Sequence, residues 1–312
     1  MTNLTVADIP DQRGRTAIVT GGTEGLGFQS SLALARAGAE VVLAARNAEK
    51  GALAVDQMHA EMPNASVRFE QLDLASLASV ADFATRMNVQ FQKLDLLINN
   101  AGIMTPPERR ETADGFELQL GTNFLGHFAL TAQLIPLLQN GDRSRVVTLS
   151  SFANRRGAIA FDDLQSVRTY QGMTAYAQSK LADLMFAFEL ERRSREAGWG
   201  VTSLSAHPGL SRTSLISSGP GANSPLGLLR RLLGGVVFQS SAQGAVPALF
   251  AATSPDALPG AYYGPDRFGE TQGNVRLAKV PSQAKDEDVA MRLWNVAEQL
   301  TALTFPQPVM VA

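Results

Sequence analysis

The sequence predicts a doubly wound α/β fold, a parallel sheet with helices on both faces. Short β-branched or aliphatic runs alternate with longer amphipathic segments, the pattern of strand–helix–strand units. The short runs are largely apolar, which suits strands buried on both faces. A glycine-rich turn, Thr20-Gly21-Gly22-Thr23-Glu24-Gly25-Leu26-Gly27, joins the first run to the first helical segment.

In order, Thr16–Val19, Val41–Ala45, Val67–Leu72, Leu94–Ile98, Val146–Leu149 and Val201–Ala206 read as strands. Helix patterns fill the intervals at Phe28–Ala37, Glu49–Glu61, Leu77–Met87, Phe124–Leu138 and Ala175–Arg195, with Gly38 and Gly198 placed as C-terminal stops. Ala261-Tyr262-Tyr263-Gly264 reads as a last strand and Asp286–Leu300 as an added helix. With 312 residues, 45% of them hydrophobic, and no repeat or composition break, one domain over 1–312 is the economical reading.

A formal net charge of -2 supplies no basic field for a nucleic acid. No stretch reaches the roughly 18 apolar residues of a membrane span, and Met1–Gln12 lacks a basic flank followed by an apolar core. A soluble protein is expected. Without cysteine there is no thiolate chemistry, and His59, His127 and His207 are too scattered for a dense metal site. A cytoplasmic location fits.

In doubly wound sheets, ligands lie beyond the carboxyl ends of the strands, and the unusual residues of this chain fall there. Glycines in the turn let the backbone approach a pyrophosphate, which the free N–H groups and dipole of the following helix favour. Such glycines also serve ordinary tight turns, but the position between strand and helix favours a dinucleotide. The second strand ends in Arg46, where an NAD site would present an acid to the ribose hydroxyl. A guanidinium suits a 2'-phosphate, so NADP is expected, with NAD the alternative. Glu24, if it lies near the adenosine ribose, either repels that phosphate or pairs with Arg46.

Tyr176 and Lys180 lie four residues apart and share a helical face. A phenol titrates near 10, and a neighbouring ammonium favours its phenolate, which suits the pair to proton exchange. Core packing is the ordinary fate of a lone aromatic.

Taken in order, Thr20, Gly21, Gly25 and Gly27, then Asn99-Asn100-Ala101-Gly102, Ser151, and Tyr176-x-x-x-Lys180 resemble the short-chain dehydrogenase/reductase family over nearly the full chain. Ala45-Arg46-Asn47, Asn123-Phe124-Leu125-Gly126-His127-Phe128, Ser179-Lys180-Leu181-Ala182 and His207-Pro208-Gly209 are similar to its retinol-dehydrogenase-like branch. The resemblance implies a Rossmann-type core over 13–213, a substrate lid at 214–240, and C-terminal helices with a last strand over 241–312. It implies Ser151, Tyr176, Lys180 and Asn123 as the catalytic set. Tyr176 would exchange the proton while Ser151, rather than Ser150, holds the substrate oxygen. Lys180 would also bind the nicotinamide ribose. Asn123 would hold a relay water, unless it is a helix-capping amide.

For the cofactor, the resemblance implies Gly21, Thr23, Gly25, Leu26 and Gly27 at the pyrophosphate and Arg46 at the adenosine. Asp73, if not a helix cap, would meet the adenine with Leu74 alongside. Asn100, Ala101 and Gly102 would line the ribose, with Asn99 tying neighbouring strands. Pro208, Gly209 and Thr213 would border the nicotinamide. His207 and His127 are read as structural. The insertion between Ser151 and Tyr176, including Asp162-Asp163-Leu164 and Tyr170, would shape another pocket wall. The apolar, Gly/Pro-bearing lid implies a small hydrophobic carbonyl or alcohol as substrate. Arg230-Arg231 in that lid also admits a membrane-surface contact. Relatives assemble through the helices at 124–138 and 175–195, implying a homo-oligomer. Sugar-nucleotide epimerases share the Tyr-x-x-x-Lys pair, but the glycine spacing and Asn-Asn-Ala-Gly argue against them. A dinucleotide sensor would have little use for the retained proton donor.

Overall fold

The computed structural model of the protein describes residues 5–211 and 239–306. Among them, strands β1 (Thr16–Thr20), β2 (Glu40–Ala45), β3 (Val67–Gln71), β4 (Leu96–Asn99), β5 (Arg145–Leu149), β6 (Thr202–Ala206), β7 (Tyr262–Arg267) and β8 (Gln272–Leu277) build one sheet. Its order is β3-β2-β1-β4-β5-β6-β7-β8. Neighbours pair in parallel from β3 to β7, and β8 closes the edge antiparallel to β7.

The apolar runs alternate between two cores. Ile18, Val42, Leu97 and Val146 face one layer, built from α3 (Leu77–Gln90), α4 (Gly126–Gln139), α5 (Gly172–Ala197) and α7 (Glu287–Thr301). Ala17, Val19, Val41, Leu43, Ile98 and Val147 face the other, built mainly from α1 (Gly25–Arg36), α2 (Ala48–Glu61) and α6 (Ser241–Thr253). The period-2 alternation of strand side chains thus buries every position of β1 and β4.

Three features position the site. The sheet reverses its winding at β1, flanked by β2 and β4, which opens a crevice beyond the carboxyl ends of β1 and β4. α1 begins at Gly25, three residues before the sequence-predicted start, so the last three residues of the glycine turn open the helix. A π-turn at Leu120–Leu125 precedes α4 and carries Asn123; such turns occur mostly at functional sites.

The C-terminal part holds two strands where the sequence suggests one. β8 reads Gln-Gly-Asn-Val-Arg-Leu, too polar to signal a buried run, because it forms the sheet edge. α7 covers α4 and α5: Trp294 lies 5.0 Å from the Phe128 ring and 5.8 Å from Phe186, and Phe305 adds a further edge contact at 5.1 Å to Phe128. The helices implied for a homo-oligomer interface therefore pack against this chain's own C-terminal helix. Among the described residues no helix is long and apolar enough to cross a membrane.

Candidate active site

The crevice starts where β1 meets β4. The Thr20 hydroxyl accepts the N–H groups of Asn100 and Ala101, both at 2.9 Å, and the Asn100 amide donates to the Thr20 carbonyl at 2.7 Å. Gly21, with φ +64°, then turns the chain, and a Cβ there would stand 3.1 Å from the Ala101 Cα. At Gly27 a Cβ would come within 2.2 Å of the Gly21 carbonyl oxygen, so only glycine permits the turn to fold back on the helix start. The cap residue Glu24 makes no side-chain cap bond to α1. The first-turn N–H groups therefore face a groove lined by Gly21, Thr23, Gly25 and Ala101, a donor array suited to a pyrophosphate. Leu26 also lines this groove, while most of its side chain is buried in the α1/α6 layer.

Across the crevice the serine pair divides. Ser150 is buried, donates to the Lys180 carbonyl at 2.6 Å and accepts from the Asn154 amide at 3.0 Å. Ser151 is half-buried and begins the short turn Phe152–Arg156, its hydroxyl oxygen accepting only the Ala153 N–H at 3.2 Å. That turn packs directly on α5: a Cβ at Gly157 would stand 2.4 Å from the Ala177 carbonyl oxygen. Tyr176 and Lys180 lie in the first half of α5, and the Tyr176 hydroxyl has no hydrogen-bond partner among the described residues. The Lys180 ammonium donates to the Leu149 carbonyl at 2.9 Å and pairs with Asp183 at 2.7 Å. A Cβ at Gly102 would lie 3.7 Å from that ammonium, which places Lys180 at the carboxyl edge of β4.

Asn123 is fully buried and caps no helix. Its Oδ1 accepts the Ile103 N–H at 2.8 Å, while its amide donates to the Ile103 carbonyl at 3.1 Å and the Ser179 hydroxyl at 2.9 Å. The side chain thus clamps the strand extension after Gly102 to α5. Its main-chain carbonyl accepts from His127 Nδ1 at 2.7 Å. That bond makes Nε2 an acceptor for the Thr20 hydroxyl at 2.9 Å, because a neutral ring has one donor. Burial pushes His127 down to about 3, opposed by the Asn123 bond and aided by the Lys180 charge.

Asp73 Oδ1 accepts the Ala75 N–H at 3.0 Å, whereas Ser76 caps α3. The Leu74 carbonyl packs against Gly126, where a Cβ would approach to 2.5 Å. Gly209 has φ +63°, and the Pro208 carbonyl accepts from Ser211 Oγ at 2.8 Å and Gln239 Nε2 at 2.5 Å. Thr213 and the lid expected at 214–240, apart from Gln239 and Ser240, lie outside the described residues. Of the expected pocket wall, Asp163 accepts the Val167 N–H at 2.8 Å, and the Tyr170 hydroxyl donates to the Pro106 carbonyl at 3.0 Å. Both bonds order the loop.

A model of the short chain dehydrogenase family matches residues 15–219. The chain belongs to that family. Mouse polyprenol dehydrogenase is 40% identical over 299 residues, 94% of this chain and 85% of the relative. Human retinol dehydrogenase 13 is 39% identical over 299 residues, 94% of this chain and 86% of the relative. Both agree with the retinol-dehydrogenase-like branch that the motifs imply. An uncharacterized protein from Mycobacterium paratuberculosis has a crystal structure that superposes with a TM-score of 0.81 at 38% identity, covering 98% of this chain and 100% of that one. The RhlG/NADP complex of Pseudomonas aeruginosa shares the fold at 24% identity, with a TM-score of 0.64 over 81% of this chain and 94% of that one.

In this short-chain dehydrogenase Glu24, at the end of the groove beside β2, departs from the pairing that the sequence suggests. It pairs with Lys50 on the first turn of α2, and not with Arg46. The exposed Arg46 side chain has no hydrogen bond or ion pair among the described residues; only its carbonyl is engaged, by Gln71 at 3.2 Å. Sequence reading missed Lys50, although its place just after Arg46, at the start of a helix following β2, was a usable signal.

The sequence also did not single out Asp183, which helical spacing puts on the face of Tyr176 and Lys180. His207, as expected, is structural. It is buried, accepts the Gly209 N–H at 3.3 Å through Nδ1, and donates from Nε2 to Glu270 at 3.1 Å. Asn99 likewise ties neighbouring elements, donating to Thr131 at 3.1 Å and toward Thr148 at 3.5 Å.

Proposed function

We propose that this oxidoreductase interconverts a hydrophobic ketone or aldehyde and the corresponding alcohol using NADP(H), with Tyr176 as the acid and base. One observation carries the reading. Around the start of α5 and the end of β5, Ser150, Asn123, Ser179 and Lys180 are buried and committed to internal hydrogen bonds, whereas the Tyr176 hydroxyl and the Ser151 proton have no partner among the described residues. Two uncommitted hydroxyls on packed elements can converge on one substrate oxygen.

A bound nicotinamide would supply or take up the hydride. In the reductive direction Tyr176 donates its proton to the substrate oxygen, and the Ser151 hydroxyl donates a hydrogen bond that stabilises the charge growing there. In the oxidative direction Tyr176 removes the alcohol proton. The Lys180 ammonium lies beside Gly102, within reach of a ribose bound along that strand end. Asn123 joins the Gly102 edge to α5 and keeps these groups in register.

NADP is favoured over NAD by the adenosine end. Arg46 is free to meet a 2'-phosphate, and Glu24 is neutralised by Lys50, so the acid that would repel the phosphate arrives with its own cation. A hydrophobic substrate is supported by the relatives, named for retinol and polyprenol. The test is coenzyme absorbance in the purified protein with long-chain and ring ketones, aldehydes and alcohols. Turnover with NADPH at a kcat/KM at least tenfold above NADH is expected. A preference for NADH overturns the coenzyme assignment, and inactivity across the panel overturns the substrate class.

A further inference from the structure

On α5, Asp183 lies three residues past Lys180 and seven past Tyr176, so the three follow one helical face. The Asp183 and Lys180 side chains are 1% and 6% exposed, and Asp183 Oδ2 meets the ammonium at 2.7 Å. The other carboxylate oxygen, Oδ1, is buried with no hydrogen-bond partner among the described residues. A carboxylate held in this way is a costly group to bury, and an uncharged residue would fill the space without that cost.

The surroundings make Lys180 its counterpart. Lys180 is the charge that acts on Asp183. Packed against this part of α5, β5 and the turn after it offer the Leu149 carbonyl, Ser150 and Ser151, and β6 carries no ionisable side chain. The π-turn contributes Asn123, and α4 contributes His127, which feels the same ammonium and is held neutral by burial. α7 carries the charged side chains Glu287, Asp288, Arg292 and Glu298, and Asp183 pairs with Lys180 alone among the described residues. Burial pushes its carboxyl up to about 6, against the pull of the ammonium.

Resting on the reading of Tyr176 as acid and base, we propose that Asp183 is a positioning residue that anchors the Lys180 ammonium and, when ionised, moderates its field at the Tyr176 phenol. An ion pair projects a dipole, and a dipole favours a phenolate one turn away less than a bare ammonium does. Asp183 thereby sets how readily the phenol releases and recovers its proton.

The test is ultraviolet titration of phenolate in the full-length protein, which needs no substrate. Subtracting the curve of Tyr176→Phe isolates Tyr176 from the other three tyrosines of the chain. In the Asp183→Asn background, compared with its own Tyr176→Phe partner, the midpoint is expected to move to lower pH by about one unit. Asp183→Glu, which keeps the charge, is expected to leave it in place. Asp183→Ser serves as a second neutral variant should the asparagine protein fail to fold. A midpoint that stays put or rises in the neutral variants overturns the proposal. Turnover of Tyr176→Phe, measured alongside, separates the two claims: an active phenylalanine variant removes the acid–base reading itself, whereas an inactive one with an unmoved midpoint removes only the role of Asp183.

Discussion

The Ser150 hydroxyl donates to the Lys180 main-chain carbonyl across 2.6 Å, binding the end of β5 to α5. Its neighbour Ser151 makes no such bond. The two serines should therefore fail differently. Ser151→Ala is expected to lower kcat by about 10² to 10³ with little change in stability, as for the loss of one donor to a developing oxyanion. Ser150→Ala, which leaves the buried Asn154 amide short of a partner, should cost about 1 to 3 kcal/mol of stability. Parallel kinetics and urea unfolding distinguish them.

At the adenosine end, Arg46→Ala should raise KM for NADPH about tenfold or more and leave NADH nearly unchanged. Glu24→Gln releases Lys50 and should lower KM for NADPH. Steady-state kinetics with both coenzymes check the pair, and an equal effect on NADH would mean that neither residue reads the 2'-phosphate.

Much of this arrangement is written in the sequence, and the omissions share a cause. Continuous apolar runs marked β1, β2, β4 and β5 because both faces of those strands are buried. Gly21, Gly27 and Gly102 were legible because their chemistry is local: a turn, a close approach, a strand end. Glu24 went astray because its partner, Lys50, lies 26 residues away and is brought near only when β2 docks beside β1. The link from Thr20 through His127 to the Asn123 carbonyl likewise joins β1 to α4 over 107 residues, so a buried histidine looked like packing alone. Asp183 needed no long-range information. Its helical spacing alone places it on the face of Tyr176 and Lys180.

The C-terminal helix makes a prediction about assembly. In α4 only Gln133, Pro136 and Gln139 escape burial, and Trp294 seals Phe128 and Phe186. The apolar side chains of α4 are therefore taken up within one chain, and a charge placed at its exposed Pro136 or Gln139 should leave the mass found by light scattering unchanged. Trp294→Ala should destabilise the protein by about 3 to 5 kcal/mol and promote self-association as the aromatic cluster is exposed. An unchanged mass in a folded Trp294→Ala protein would count against the cluster as a latent interface.

Acid should probe His127. Its ordinary value of 6.5 falls to about 3 in the fold, so between these limits the unfolded chain binds the extra proton and stability declines as pH drops. At pH 4.5 the loss from this group is about 2 to 3 kcal/mol. Asp183 runs the other way between about 6 and 3.8, because its folded carboxyl takes up a proton before the unfolded one. Replacing His127 by Gln removes the titrating ring and, at every pH alike, its bonds to Thr20 and the Asn123 carbonyl. Urea unfolding at pH 7 and 4.5 should show the variant gaining on the native chain in acid; a constant difference would refute the buried neutral ring.

The most direct measurement is the turnover of Tyr176→Phe at saturating NADPH with a ketone or aldehyde that the native protein reduces, together with its coenzyme affinity. Phenylalanine keeps the ring and removes the proton. The predicted result is a kcat lower by about 10³ or more with coenzyme affinity intact; turnover within a few-fold of the native protein would contradict the assignment of Tyr176 as the proton donor.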